Sequence, residues 1–423
     1  MKAISLGNHG LISIFCIIVF LFLFIFGLPT PIGSLTPILT MLVLLWGGVN
    51  YNKYFSLFPR EFFYLFFFLL FDILVCLTIP IILDTFDFSI IKTKINFIIS
   101  MFAVYILAKY FSENSNLSEK FFFNLLLSVF ALQSIIMVVM LLDSNVSQTI
   151  TSFTRSTDQG VRVLESYAGA RGLGIADSSV FGLAIVMGLF LFLTFFCYKN
   201  KFINFNYFII LLFLGGVASI SAGRTAVIGL ICGFLYLFIN FKNLRSFYTL
   251  ITISFLLFLM FYFLLSIDRQ SIENQTLGYF YSYSMEPILN YMNQGKFSST
   301  STDGLHSMYF PLTDQQFLIG DGRYMDGQSY YMKTDAGYMR FALFYGVIFS
   351  FISYLYFVYF LMKVNLLNKK YFWLLIFFII ISFIFHYKGE TILFAVSYGK
   401  LLFLIVFYIY LKSISLTGRA VNG

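Results

Sequence analysis

The sequence predicts an all-α, polytopic integral membrane protein with about 12 transmembrane helices. The first observation is composition: 60% of the 423 residues are hydrophobic and 11% are charged, whereas soluble domains carry about 25% charged residues. The second is that the apolar residues form continuous runs near the length of about 20 residues that a spanning helix needs. The third is that these runs do not alternate, so they predict helices rather than barrel strands.

The predicted spans belong to a single membrane domain that covers residues 1–423. The first span is followed at once by the second, so we interpret it as a true span rather than a cleaved signal peptide. Two long polar segments, 144–179 and 268–337, interrupt the pattern. The predicted spans are 10–27, 33–49, 61–83, 95–111, 121–143, 180–197, 207–222, 225–241, 247–267, 338–362, 371–385 and 391–411.

The distribution of basic residues predicts the orientation. An even number of spans places both termini on one side, and that side carries 14 lysines and arginines in short loops against 12 on the other. Because short loops follow the positive-inside rule and long segments do not, we expect both termini in the cytoplasm and the two long segments outside.

The two sides also differ in the type of basic residue. The inner side has 11 Lys and 3 Arg, and the outer side has 5 Lys and 7 Arg. Arginine presents a planar fork that suits phosphate and carboxylate, so the outer face is expected to hold an anion. The alternative is that outer arginines are scattered in solvated loops, and it applies best to Arg155, Arg162, Arg269 and Arg323.

Three outer arginines lie at or near the mouth of a span: Arg171, Arg224 and Arg340. Arg224 is the single charge within the apolar run 207–241, in the sequence SAGRTAV. The small residues around it favour close helix packing, which would turn the side chain inward. The alternative is an arginine that extends to the lipid headgroups. Thr225 is expected to cap the eighth span.

Several acidic residues have two interpretations. Asp177, in the sequence RGLGIADSSVFG, is expected to cap the sixth span, with catalysis as the alternative. Glu286-Pro287 predicts the start of a short helix that ends at Gly295. His386, Lys388 and Glu390 are typical of a solvated turn, with acid–base chemistry as the alternative. Asp72 and Lys400 lie near the membrane midplane and are expected to pair with each other.

The region 320–346 combines turns with charges. Gly320, Gly322 and Asp326-Gly327 predict an ordered loop, and Asp335 and Arg340 flank the start of the tenth span. The segment around it is rich in tyrosine, which suits sugar rings, although an aromatic belt at the interface is the alternative. The tyrosines are Tyr279, Tyr281, Tyr283, Tyr291, Tyr309, Tyr324, Tyr330, Tyr331 and Tyr338.

The sequence predicts neither a cofactor nor a metal. No Walker A loop is present, and no Asp-x-Asp pair occurs in the outer loops to hold a divalent ion. The four cysteines lie in or beside apolar segments and suggest neither a disulfide framework nor a zinc site. The net charge of +8 belongs to the flanking loops and implies no nucleic acid partner.

Taken together, these features resemble the O-antigen polymerase family. That family belongs to the polyprenyl-lipid-dependent membrane glycosyltransferases, which also include the O-antigen ligases. The resemblance covers the whole topology, and the local matches are residues 171–174, 221–225, 320–322 and 335–346. Ligases usually place a histidine–asparagine pair after the Gly-x-Gly turn. Here Thr334-Asp335 stands at that point, and the nearest outer histidine, His306, lies upstream.

The resemblance implies polymerisation of undecaprenyl-pyrophosphate-linked oligosaccharides at the periplasmic face of the bacterial inner membrane. Arg171, Arg224 and Arg340 are then expected to bind pyrophosphate and to point into one cavity, with Asp177 and Asp335 offsetting their charge. Asp335 would activate the acceptor hydroxyl or orient Arg340. The expected substrate contacts are Arg323, Tyr324, His306 and Asp177.

The resemblance also implies partners and leaves alternatives. Besides the lipid-linked oligosaccharide, the expected partners are membrane lipids and a polysaccharide chain-length regulator. The alternatives are an O-antigen ligase and a flippase for lipid-linked oligosaccharides. A flippase needs charges along a central path between two halves, whereas here they gather on one face without an internal repeat.

Overall fold

The computed structural model describes residues 10–30, 33–55, 58–114, 117–154, 172–178, 180–239, 251–252, 262, 266, 274–327 and 329–421. The described chain is mostly helical, and its four strands, each of two residues, form two antiparallel hairpins. By contacts the chain divides into two compact units, Met1–Leu35 with Glu119–Ser298 and Thr36–Ser118 with Ser299–Gly423.

The first unit contains the helices that carry the Arg224 turn. Its elements are α1 (Leu11–Ile25), β1 (Pro29–Thr30), β2 (Gly33–Ser34), α6 (Glu119–Leu142), α7 (Ser144–Thr154), α8 (Phe181–Lys199), α9 (Phe205–Ala222), a 3-10 helix (Arg224–Ala226), α10 (Val227–Phe238) and α11 (Gln275–Gln294). Helix α8 is buried along most of its length and packs against α6, α9 and α10. A Cβ atom at Gly229 would lie 1.8 Å from the Gly188 carbonyl oxygen, so α8 and α10 touch backbone to backbone.

The second unit contains the region around Arg340. Its elements are α2 (Thr36–Val49), α3 (Tyr51–Tyr54), α4 (Arg60–Ile82), α5 (Ser89–Glu113), α12 (Thr300–Ser307), α13 (Asp314–Leu318), β3 (Met325–Asp326), β4 (Ser329–Tyr330), α14 (Gly337–Leu367), α15 (Phe372–Lys388) and α16 (Val396–Val421), with 3-10 turns at Tyr331–Lys333 and Lys369–Tyr371. Helices α5 and α16 pack closely together. Helix α14 is kinked at Gly346, where φ is +78°, and the backbone of Leu318 lies against that residue.

The helices confirm a multi-pass, all-α membrane protein. Eight described helices are long and apolar enough to cross a membrane, and three shorter apolar helices coincide with the predicted spans 10–27, 33–49 and 225–241. The predicted span 247–267 lies largely outside the described residues. The total number of spans, the orientation and the placement of the two polar segments therefore stay predictions.

The helix predicted to start at Glu286 begins earlier. Helix α11 starts at Gln275, where the Asn274 side chain accepts a hydrogen bond from the Leu277 N–H group, and Pro287 lies inside it. Gly295 ends the helix in the left-handed conformation, as predicted. Proline is common at the first position of a helix but does not have to start one. Here the helix starts at the cap formed by Asn274, upstream of Pro287.

Candidate anion-binding sites

Arg224 lies where two apolar helices of the first unit meet. Helix α9 ends at Ala222, and Arg224 begins the 3-10 helix that leads into α10. Ser219, Ser221, Ala222 and Ala226 are buried, as the small-residue pattern predicted. The prediction that Thr225 caps this helix is wrong: Gly223 holds the cap position, and no side chain caps it.

The Arg224 guanidinium is held by α11. Its Nη1 atom lies 2.6 Å from Glu286 Oε2 and donates to the Tyr283 carbonyl oxygen at 3.3 Å. The guanidinium also lies over the Tyr283 ring, 4.4 Å from the centroid, and the Tyr283 hydroxyl accepts from the Arg224 backbone N–H group. The ion pair keeps some contact with solvent, because the side chains are 15% and 22% exposed. The guanidinium thus packs against α11 within the first unit.

Pro287 explains why a helix carbonyl accepts a hydrogen bond from Arg224. In an α-helix the N–H group of each residue donates to the carbonyl four residues earlier. Proline has no N–H group, so Pro287 leaves the carbonyl of Tyr283 without its helical donor. Arg224 Nη1 donates to that carbonyl instead. Pro287 does not start the helix, but its missing N–H group allows the Tyr283 carbonyl to accept from Arg224.

The glycine-rich sequence 171–174 contacts the Arg224 turn. The Gly172 N–H group donates to the Ser221 carbonyl oxygen at 2.7 Å. Two motifs that the sequence presents separately therefore meet in the first unit. Arg171 itself lies outside the described residues, so its position and role stay predictions.

Asp177 does not cap the sixth span. Helix α8 starts at Phe181, and the residue before it, Val180, has a positive φ of 57°. The Asp177 carboxylate instead accepts a hydrogen bond from Ser34 Oγ, and its N–H group donates to the Phe26 carbonyl oxygen. The predicted cap is wrong because Asp177 ties the start of this segment to the β1–β2 hairpin, while its role toward a substrate stays a prediction.

Arg340 occupies a second arginine site, within the second unit. Its guanidinium lies between two tyrosine rings, 3.9 Å from the centroid of Tyr324 and 3.5 Å from that of Tyr330. Arg340 Nη1 lies 2.5 Å from Glu390 Oε2, and the two side chains are only 5% and 6% exposed. Among the described residues, no hydrogen-bond partner is found for Arg340 Nη2 or Glu390 Oε1.

Burial governs the protonation of the groups around Arg340. It raises the pKa of the Glu390 carboxyl, an increase that the Arg340 charge opposes. Burial also raises the pKa of the Tyr324 hydroxyl, and the neighbouring Glu390 raises it further. Tyr324 is therefore a neutral hydrogen-bond donor at physiological pH.

A clamp from the α4–α5 turn fixes the loop that carries Tyr324. The Tyr324 and Met325 N–H groups donate to Asp87 Oδ2 at 2.6 and 2.7 Å, and Thr85 Oγ1 donates to the Gly322 carbonyl oxygen at 2.8 Å. Partial burial alone would raise the pKa of Asp87. The hydrogen bonds from Ser89, Met325 and Tyr324 outweigh it, and the pKa lies below its ordinary value.

The remaining predicted site residues of the second unit lie at the surface. Asp335, Arg323 and His306 are all exposed. Although Asp335 is exposed as a residue, the protein around its carboxyl group partly desolvates that group and raises its pKa, and the charge of Arg340 partly opposes this. Arg340 forms its ion pair with Glu390 rather than with Asp335, and the expectation that Asp335 activates the acceptor or orients Arg340 stays a prediction. The catalytic and substrate-binding roles of the three residues stay predictions.

The interpretation of residues 386–390 as a solvated turn is wrong. His386 has no solvent exposure and lies in the last turn of α15. Its Nδ1 atom accepts from the Thr391 and Ile392 N–H groups, so in the neutral ring Nε2 carries the hydrogen and donates to the Tyr354 hydroxyl oxygen. This histidine thereby fixes the backbone next to Glu390.

Asp72 forms its ion pair with Lys94 rather than with the predicted partner Lys400, and the proximity of Asp72 and Lys400 stays a prediction. Asp72 Oδ2 lies 2.7 Å from Lys94 Nζ, and both side chains are buried. Lys400 Nζ donates to Thr40 Oγ1 at 3.4 Å. Helix α5 begins at Ser89 rather than near residue 95, so Lys94 belongs to a helix within the unit rather than to an outer loop.

Sequence reasoning missed the two carboxylates that hold the arginines. Glu286 and Glu390 lie 62 and 50 residues from their partners. Glu390 stands between two apolar stretches, where an acidic residue needs a partner. Glu286 lies in the polar segment 268–337 and carries no such signal. These two residues, rather than Asp177 and Asp335, are paired with Arg224 and Arg340.

The arrangement fixes two guanidinium groups, each by a glutamate and a tyrosine ring. Arg224 belongs to the first unit and Arg340 to the second, so their expected convergence on one cavity stays a prediction. Within the described ranges, no group of three His, Cys, Asp or Glu side chains could hold a metal ion. No protein-family model, no curated protein and no solved structure matches this chain.

Proposed function

We propose that this protein is a polysaccharide polymerase that acts on oligosaccharides carried by undecaprenyl pyrophosphate. In the proposed reaction, a hydroxyl oxygen of one lipid-linked unit attacks the anomeric carbon of another. The bond between that carbon and the pyrophosphate oxygen breaks, and undecaprenyl pyrophosphate leaves with the electron pair. The hydroxyl proton passes to a carboxylate or to water. The proposed site is the periplasmic face of the bacterial inner membrane.

One observation supports the proposal most strongly, and it is the geometry of Arg224. Both hydrogen bonds of its guanidinium to described residues leave from Nη1. Among the described residues, no hydrogen bond is found for the Nε and Nη2 donors, while Glu286 and Tyr283 hold the group in place. Preorganised donors of this kind stabilise charge that develops on a leaving group.

The test is reconstitution of the purified protein with a lipid-linked repeat unit. A ladder of products that grows by whole repeat units is expected, and it should persist in EDTA because the proposal gives no role to a divalent ion. Transfer to a lipid core without a ladder would indicate a ligase. Translocation of the lipid-linked unit without chemistry would indicate a flippase.

Cells that lack the protein give an independent result. Loss of a polymerase leaves surface lipopolysaccharide with a single repeat, loss of a ligase leaves the bare core, and loss of a flippase leaves no surface unit. We expect the single-repeat phenotype. A bare core or an absent unit would contradict the proposed polymerisation.

A further inference from the structure

A short apolar surface lies beside two spanning helices of the second unit. It consists of three consecutive residues at the end of α13, Phe317, Leu318 and Ile319, which are 50%, 53% and 47% exposed. Helix α13 belongs to the polar segment 268–337, which the sequence predicts to lie in water. An exposed apolar surface of this kind marks a contact with a membrane or with another protein.

This surface lies below the end of the spanning helix α14. The Asp321 N–H group donates to the Leu343 carbonyl oxygen at 2.6 Å, and a Cβ atom at Gly320 would lie 2.5 Å from the Phe344 carbonyl oxygen. Leu343 and Phe344 belong to the second turn of α14, about 10 Å from its start at 1.5 Å per residue. The end of α13 therefore packs along the side of a span rather than above it.

The lengths of α14 and α4 place the surface inside the hydrocarbon. Helix α14 has 31 residues and is about 46 Å long, so a centred core of about 30 Å leaves about 8 Å outside at each end. Gly346, against which Leu318 packs, lies about 13 Å from the start of α14 and thus about 5 Å inside the core. Helix α4 indicates a similar depth, because the backbone of Gly322 rests on Ile79 in its last turn.

The backbone of this segment is hydrogen-bonded within the protein, which a segment in hydrocarbon requires. Thr313 and Gln316 form a capping box, in which each side chain accepts from the N–H group of the other residue. The Ile319 and Gly320 N–H groups both donate to the Gln315 carbonyl oxygen. The turn at the end of α13 therefore needs no water to satisfy these donors.

Polar and apolar side chains are separated along the segment. Asp314 and Gln315, at the start of α13, are exposed, whereas the three apolar residues lie at its end. Asp321, just beyond them, turns its carboxylate toward the protein, where it accepts from Gln316 Nε2 at 2.8 Å and from the Tyr331 hydroxyl at 3.1 Å. The segment thus has a polar entrance, an apolar tip and an internally paired charge on its return.

We propose that residues 313–322 form a re-entrant segment whose tip, residues 317–319, inserts into the hydrocarbon of the bilayer. Leu318 and Ile319 line the same apolar cleft as Ile348 and Ile352 of α14, and these two residues are about half exposed on a spanning helix. The tip therefore continues a surface that acyl chains cover, and acyl chains are its partner. The same insertion is expected whatever reaction the protein catalyses.

Spin labels on the purified full-length protein in phosphatidylcholine vesicles test the insertion. Cys16→Ser provides the background, because Cys16 is exposed and the other cysteines are buried. A nitroxide on Ile319→Cys should collide more often with oxygen, which concentrates in hydrocarbon, than with a water-soluble nickel chelate. The matched control, Gln315→Cys in the same helix, should show the reverse order. Phe351→Cys on the exposed face of α14 provides the reference for a lipid-facing position.

Two outcomes would overturn the insertion. If the label on Ile319→Cys collides with nickel as often as the label on Gln315→Cys, the tip faces water. If it collides with neither reagent, a second copy or another protein covers the tip. Should Ile319→Cys fail to fold, Phe317→Cys replaces it, because Phe317 belongs to the same tip and is equally exposed.

Discussion

The Arg224 and Arg340 sites are built from the same parts but differ in their access to solvent. In each, a guanidinium lies over a tyrosine ring and pairs through Nη1 with a glutamate that is distant in sequence. The Arg224 pair has side-chain exposures of 15% and 22%, and the Arg340 pair has 5% and 6%. Arg340 also lies between two rings rather than over one.

The difference in exposure predicts a difference in use. A buried ion pair has a stronger Coulomb attraction and leaves an uncompensated charge when one partner is removed. An arginine in a partly exposed ion pair can leave its carboxylate for another anion at a smaller cost in free energy, because water solvates the separated charges. We therefore expect Arg340 and Glu390 to contribute mainly to the stability of the second unit, and Arg224 to be the residue that engages an anionic ligand.

The largest expected effect comes from neutralising the two glutamates. Glu390→Gln should destabilise the protein by about 3–5 kcal/mol because it leaves Arg340 buried and unpaired. Glu286→Gln should cost about 1 kcal/mol or less, since solvent screens its partner. Thermal unfolding in detergent measures both. Equal losses of stability would contradict the distinction between the sites.

The next effect concerns the guanidinium fork. Arg224→Lys keeps the charge but loses the planar donors, so polymerisation should fall by about 100-fold or more while protein level and topology stay normal. Ladder formation by the purified variant is the measurement, with unfolding temperature as the control for folding. Polymerisation at the wild-type rate would remove Arg224 from the proposed mechanism.

The clamp on the Tyr324 loop should contribute less. Asp87→Ala removes a charged acceptor of two backbone N–H groups and should cost about 1.5–3 kcal/mol, with Asp87→Asn intermediate. The lowered pKa means that this contribution is complete above pH about 4 and is lost as the pH falls through the folded-state value. Unfolding measured against pH should therefore show a smaller acid loss in the Asn variant than in the wild type.

Replacing Pro287 tests how α11 holds Arg224. Pro287→Ala supplies an N–H group that competes for the Tyr283 carbonyl, so the Arg224 contact worth about 0.5–1.5 kcal/mol weakens while the helix gains a bond. We expect unchanged or higher thermal stability together with up to about tenfold lower polymerisation. Higher stability with full activity would show that the carbonyl contact does not position Arg224.

The smallest expected effect is the loss of one ring from the Arg340 site. Tyr330→Leu removes a cation–π contact from a residue that is 40% exposed and should cost about 0.5–1 kcal/mol. Tyr330→Phe keeps the ring and should unfold like the wild type. A loss of stability in Tyr330→Phe as large as in Tyr330→Leu would assign the effect to the hydroxyl instead.

Local features of the sequence predicted much of the fold. The apolar runs predicted the helices at 60–82, 119–142 and 181–199 closely, because hydrophobic length is a property of consecutive residues. The end of α11 at Gly295 was equally predictable, since glycine adopts a left-handed conformation at helix ends with little strain. The placement of Arg224 at a break between apolar helices followed from the same local pattern.

The sequence by itself therefore determined an all-helical membrane protein with an arginine at the junction of two apolar helices. Only the tertiary structure decided which charges pair. Asp72 meets Lys94 rather than Lys400, and Glu390 meets Arg340 within the protein rather than facing solvent. Such pairs depend on how helices pack and on where each helix starts. The helix predicted to begin at residue 95 begins at Ser89, so Lys94 is a helical residue rather than a loop residue. No local pattern in the sequence predicts its contact with Asp72.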